Sequence, residues 1–212
     1  PHHANLHGLT AITISAWIYP DSTMSGSWNW VLGKNSTTGT DNDNPFALWY
    51  KTDDNKLYFY VGDDSTSDVV ASTALTEDQW NHVVVTYNDS ANTAIFYING
   101  GSAETDASFN TSTNTAATGQ MSFTIGQKYI NDTTLQEEFK GKLADIRIYN
   151  TTLDATQSNY LFDRDGSAGS APYTAVNPAI TGTYAVISGV EPILWYKLGD
   201  AISANDSSTN NN

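Results

Sequence analysis

Apolar and polar positions alternate with a period of two through most of the chain, and helical spacing is confined to one short stretch, so the pattern predicts an all-β architecture. The clearest segment is Thr10–Tyr19. Ile12, Ile14, Ala16 and Ile18 fall on one face, and Thr13, Ser15, Trp17 and Tyr19 on the other. Both faces carry large side chains. Further strands are expected at Trp30–Lys34, Phe46–Lys51, Lys56–Val61, Val69–Thr73, His82–Tyr87, Ala94–Ile98, Ser122–Ile125 and Lys142–Tyr149, enough for two sheets.

Asn99-Gly100-Gly101 follows AIFYI, and Asn and Gly tolerate positive φ, so a hairpin is expected there, with a strand beginning near Ala103. One helix is expected, Ala155–Phe162, with Asp154 as N-cap and Gln157 three residues on in capping-box position. After Gly166 the chain turns to SAGSAPYTAVNPAITG, rich in small residues and proline. Residues 1–166 are read as one domain, 167–191 as an extended linker, and 192–212 as a segment resembling an opening strand.

Length fits that division, because 212 residues suffice for one large β-domain and an extension. Charge excludes more than it selects. A net charge of -14 with only nine Lys and Arg disfavours nucleic acid and anionic membranes alike, since both demand clustered cations. An acidic surface suits divalent cations, salty media or neutral sugars, as well as simple solubility. Cysteine is absent, which removes disulfides and thiolate metal sites. No apolar run reaches membrane-spanning length, so membrane insertion is not expected.

The segments ITISAWIYP, LYFYVGD, QWNHVVVTYN, AIFYING, FTIGQ and GKLADIRIYN, in this order, resemble the laminin-G-like, concanavalin A-like family over about residues 1–163. The resemblance implies a jelly-roll sandwich of two antiparallel sheets, with the short helix near the end of the domain. Such domains open with a strand like ILWYKLGD and only later reach a segment like PHHANLHGLTAITISAW. Here that order is inverted. A fragment of tandem repeats, a permuted domain closed by its own tail, and donation of the tail to a neighbouring subunit each account for it. An unfilled slot in a sheet presents unpaired backbone groups that a strand from elsewhere satisfies. Ile193, Leu194, Trp195, Tyr196, Lys197 and Leu198 are the expected assembly strand, with Ile193, Leu194, Tyr196 and Leu198 carrying the packing.

Catalysis is not expected. Some members of the wider superfamily cleave glycans with Glu-x-Asp-x-x-Glu or a near relative on one strand, and no such run occurs. Glu137 and Glu138 would point to opposite faces of an extended chain. No Gly-x-Ser-x-Gly elbow accompanies the histidines.

Calcium is the better chemical expectation, because it takes oxygen ligands from acidic, Asn-rich loops. The resemblance carries a structural ion to Asp145, with Asp200 and Asp206 from the terminal segment. Alternation places Asp145 with Leu143, Arg147 and Tyr149, so an ion pair with Arg147 competes with that role. Turn formation competes at Asp200 and Asp206.

Sugar binding needs an aromatic face rimmed by hydrogen-bonding groups. Trp17 and Trp80 lie in core-forming segments. Trp28 and Trp30, which share a side if the strand starts that early, and Trp49 and Tyr50 are the glycan-binding candidates, with buried packing as the competing role. Together these features suggest a structural and adhesive module outside the cell or on a virion or filament surface. It would assemble as a homopolymer or tandem array through the C-terminal strand, with glycan contact by its loops. The alternative is a calcium-supported lectin module within a larger adhesin or glycan-active enzyme.

Overall fold

The computed structural model describes residues 6, 9–35, 44–62, 69–106, 122–131, 134–162 and 187–196. In chain order the strands are β1 (Ala11–Pro20), β2 (Trp28–Asn35), β3 (Asn44–Lys51), β4 (Lys56–Gly62), β5 (Val69–Val70), β6 (Asn81–Asn88) and β7 (Thr93–Ile98). They continue with β8 (Glu104–Asp106), β9 (Ser122–Ile125), β10 (Lys128–Asn131), β11 (Thr134–Gln136) and β12 (Gly141–Tyr149). Helix α1 (Ala155–Phe162) and β13 (Leu194–Tyr196) complete the order.

The strands form a six-stranded sheet, β13-β12-β1-β6-β7-β8, and a five-stranded sheet, β5-β4-β3-β2-β9, with β10-β11 as a separate hairpin. All strand pairings are antiparallel. The chain is therefore the two-sheet sandwich that the alternation predicts. Ile12, Ile14, Ala16 and Ile18 enter the core as expected, beside Val83, Val85, Phe96, Ile146 and Ile148 of neighbouring strands. From the other sheet, Leu32, Phe46, Leu48, Leu57, Phe59 and Val61 meet them. Truncating any of these large aliphatic side chains to Ala costs about 2–5 kcal/mol, because the lost contacts leave a cavity.

The opposite face of β1 is not solvent-facing. Thr13, Ser15 and Trp17 are buried. The Thr13 hydroxyl donates to the Thr151 carbonyl at 2.7 Å and accepts from the Leu153 amide at 3.0 Å. Those bonds tie the chain after β12 back across the sheet. Phe162 of α1 stacks on Trp17 at 6.0 Å between ring centroids, and Leu153, Leu161 and Ile187 pack with Tyr149. A second layer thus covers the six-stranded sheet. The helix cap forms as its sequence requires, with the Asp154 amide donating to Gln157 Oε1 at 3.0 Å and the Gln157 amide donating to Asp154 Oδ1 at 2.8 Å.

The C-terminal segment joins its own chain's sheet. Ile146, Arg147 and Ile148 of β12 face Tyr196, Trp195 and Leu194 of β13, and the Ile193 amide donates to the Ile148 carbonyl at 2.7 Å. Leu194 is buried between the sheets, and Tyr196 stacks on Phe123 of the other sheet at 6.4 Å. Lys197, Leu198, Asp200 and Asp206 lie outside the described residues.

Candidate functional site

Two groups of polar and aromatic residues concentrate on the outer faces of the two sheets. On the six-stranded sheet, pairing with β1 is irregular between Ser15 and Trp17, opposite Asp145 and Ile146, and Asp145 has φ +48°. The extra residue is a bulge, and Asx residues tolerate that left-handed conformation better than most. Strict alternation put Leu143 on the face of Asp145 and Arg147. The bulge instead turns Leu143 toward the core while Asp145 and Arg147 stay together outside.

Asp145 is fully occupied there. Arg147 Nε donates to its Oδ1 at 2.9 Å and Arg147 Nη2 to its Oδ2 at 2.7 Å, while Trp195 Nε1 donates to Oδ1 at 2.7 Å. The Arg147 guanidinium also lies 4.3 Å from the Trp195 ring. This is a buried ion pair with a fork geometry, in place of the expected calcium ligand. Calcium would need those same oxygens, so Asp145 in this arrangement does not fit it. Among the described residues no three acid or imidazole side chains converge on a metal position.

Beside the pair, His82 shares a hydrogen bond of 3.1 Å with Ser15 and packs against Trp17 and Phe162. Burial, followed by the nearby Arg147 charge, pulls its imidazole down to about 3, so it is neutral at physiological pH.

The outer face of the five-stranded sheet is built differently. Strand β2 begins at Trp28, so Trp28 and Trp30 do share a side. Trp28 meets Trp49 and Tyr58 edge-on at 5.9 and 4.9 Å, and Trp30 meets Trp49 at 4.8 Å. Trp30 is 0% exposed. A Cβ on Gly33 would lie 2.7 Å from the Trp30 ring, so the glycine is what lets the indole lie down on the strand. Lys128 sits over Trp30 and Trp49 at 5.9 and 5.0 Å, and Lys51 over Trp28 and Tyr58 at 5.0 and 5.5 Å. Trp49 is 7% exposed under this cover.

Tyr50 is not on that face. Its side chain is 0% exposed within the core cluster, with its hydroxyl donating to Asn55 Oδ1 at 3.0 Å. Burial, reinforced by Glu77, raises its phenol above the usual range. The alternation after Trp49 dictates this placement. Of the four aromatic candidates, half-buried Trp28 lines a cleft.

That cleft, of about 660 Å³, is lined by Ser25, Gly26, Ser27, Trp28, Asn29, Glu137, Glu138 and Lys140. The Glu137 carbonyl accepts from the Trp30 amide at 2.8 Å, which seats the start of the β11–β12 connection against β2. Glu137 and Glu138 were expected on opposite sides. Instead, φ +56° at Glu137 breaks the extended run, and both line the cleft. Glu137 faces Lys128 at 3.7 Å. Ser27 donates to Asp53 at 2.6 Å and Asn29 Nδ2 to the Gly26 carbonyl at 3.0 Å. Sequence reasoning missed Tyr58, Lys51, Lys128 and the paired glutamates. Only the alternation of KLYFYV could have marked Tyr58, since the others come from separate strands and connections.

Two antiparallel sheets packed in this way form a lectin-like jelly roll. The match to the family described as Concanavalin A-like lectin/glucanases superfamily, laminin G type, spans residues 1–157, and the chain belongs to that family. No curated protein sequence matches it. Among solved structures it is similar to the Ruminococcus gnavus IT-sialidase CBM40 bound to alpha2,3 sialyllactose, at 14% identity and TM-score 0.60, covering 75% of this chain and 86% of that one. A Bacteroides ovatus protein described as carbohydrate binding aligns at 17% identity and TM-score 0.59, covering 100% of this chain and 52% of that one. The chain thus spans about half of that protein's length. A heptameric SAP-like pentraxin from Limulus polyphemus aligns at 17% identity and TM-score 0.54, covering 74% and 72%. At these identities the likeness is one of fold. Among the described residues no helix is long and apolar enough to cross a membrane.

Proposed function

We propose that this chain is a carbohydrate-binding module that works outside the cell, with its ligand in the cleft beside Trp28. The observation that carries the reading is the pairing of an indole wall with hydroxyl, amide and carboxylate groups in one open cleft. Pyranose rings offer apolar C–H patches to the ring and hydroxyls to the polar rim. Binding relatives of the same fold support the class. The arrangement favours recognition over bond cleavage, because Glu137 is engaged by Lys128 and the two glutamates are sequence neighbours on one side of the cleft. The test is a glycan array probed with the native chain and Trp28→Ala. Binding to at least one glycan, weakened about tenfold or more by Trp28→Ala, is expected; no bound glycan, or an indifferent variant, sinks the reading.

A second reading is favoured by the pairing of β13. This strand holds the edge of β12 through Leu194–Tyr196, and residues 163–193 separate it from α1. We propose that 192–212 forms an exchangeable unit beyond a domain of 1–166 and a linker of 167–191, so that the same slot accepts a neighbour's strand in a homopolymer on a cell, virion or filament surface. Light scattering after size-exclusion chromatography over a concentration series checks it. Oligomers that vanish when 192–212 is removed are expected, and a full chain that stays monomeric at every concentration removes the polymer reading.

A further inference from the structure

We infer that the cleft beside Trp28 selects glycans free of acid groups, whose hydroxyl or amino groups donate to Glu138, and discriminates against sugars bearing carboxylate, sulfate or phosphate. This rests on the carbohydrate-binding reading and goes beyond it to the class of ligand.

The distribution of charge carries the inference. The three lysines at or beside the cleft each have a carboxylate nearby. Lys128 Nζ is 3.7 Å from Glu137, and Lys51 Nζ is 3.5 Å from Asp53. Lys140 Nζ hydrogen-bonds to Thr23 and stands near Asp21. The Asp21 carboxyl is held below its usual range by hydrogen bonds from the Thr23 hydroxyl and amide and by the Lys140 charge. Glu138 is exposed and makes no hydrogen bond or ion pair among the described residues. It is the carboxylate left over in the cleft lining, where two glutamates face a single lysine.

Recognition of an acidic sugar asks for the reverse. Carboxylates and sulfates are best held by the planar fork of arginine or by unpaired ammonium groups. Arg147 is committed to Asp145 on the outer face of the other sheet, and Arg164 lies outside the described residues. A free carboxylate accepts from two neighbouring hydroxyls at once, or from a protonated amine, and Glu138 stands ready for both beside the Trp28 ring. The net charge of -14 adds a general repulsion of anions that salt screens.

The experiment uses the full chain on an array of matched glycan pairs that differ only by sialylation, sulfation or N-acetylation. Titration calorimetry at low and high salt follows for the best-bound pair. The acidic member is expected to bind at least about fivefold more weakly at low salt, as for a like charge within a few ångströms near a surface. The gap should narrow with salt. Glu138→Gln should close most of it, and Glu138→Lys should reverse it, with unchanged melting temperatures because the side chain is exposed. Equal or tighter binding of the acidic members by the native chain overturns the inference, as does a discrimination untouched by Glu138→Gln. A blank array is a different result, overturning the carbohydrate reading itself and this inference with it.

Discussion

The two outer faces of this sandwich are similar in composition and differ in what covers them. Each carries tryptophans, a cation over an aromatic ring and a carboxylate paired with that cation. On the six-stranded sheet a covering layer of α1, the chain after β12 and the segment around Ile187 and Val190 removes these groups from water. On the five-stranded sheet the described residues leave Trp28, Glu138 and Lys140 lining an open cleft. The difference teaches that an aromatic–charge cluster is read by what covers it. Under a lid its charges must find partners, as Asp145 and Arg147 do, because an unpaired buried charge is costly; in the open it keeps spare hydrogen-bonding capacity.

The contrast breaks hardest at Asp145. Asp145→Ala leaves the Arg147 guanidinium buried without its partner, at about 3–5 kcal/mol, read as a fall in the chemical-denaturation midpoint. Glycan binding per folded molecule should not move. Next comes Trp195→Phe, which keeps most of the ring but deletes the 2.7 Å bond to Asp145. A loss of about 1.5–3 kcal/mol is expected from a hydrogen bond to a charged group. The same denaturation measurement checks it.

Acid offers a gentler probe. The His82 imidazole titrates near 6.5 in the unfolded chain and at about 3 in the fold, so the unfolded state takes up the proton first. Stability is therefore complete above about pH 6.5 and falls as pH drops toward 3, with a slope approaching 1.4 kcal/mol per unit from this group. Melting curves between pH 7 and 5 should show the fall, and His82→Gln should flatten it. The smallest effect on stability belongs to the open face. Trp28→Ala, at a half-buried position, should cost no more than about 1–2 kcal/mol in thermal melts while removing glycan binding.

Most strands were legible because burial on one side of a sheet leaves a period-two signature, and the only described helix was legible because Asp154 and Gln157 cap it locally. The face of Leu143 was misread because a bulge at Asp145 carries no signature in alternation. The short strands β10 and β11 went unread, since three or four residues give too little pattern. The candidate site was only partly legible. Trp28 was marked by its spacing from Trp30, but Tyr50 was drawn in by adjacency to Trp49 and belongs to the core.

By itself, then, the sequence determined the all-β class, the inward face of β1 and the short helix α1, all of which are local consequences of periodicity and capping. Tertiary structure alone decided which face was roofed, that Trp195 would join Asp145 and Arg147, and that Glu137 and Glu138 would line one cleft with Trp28. Those outcomes join residues far apart in the chain, and their free energies depend on desolvation and on partners that no local pattern specifies.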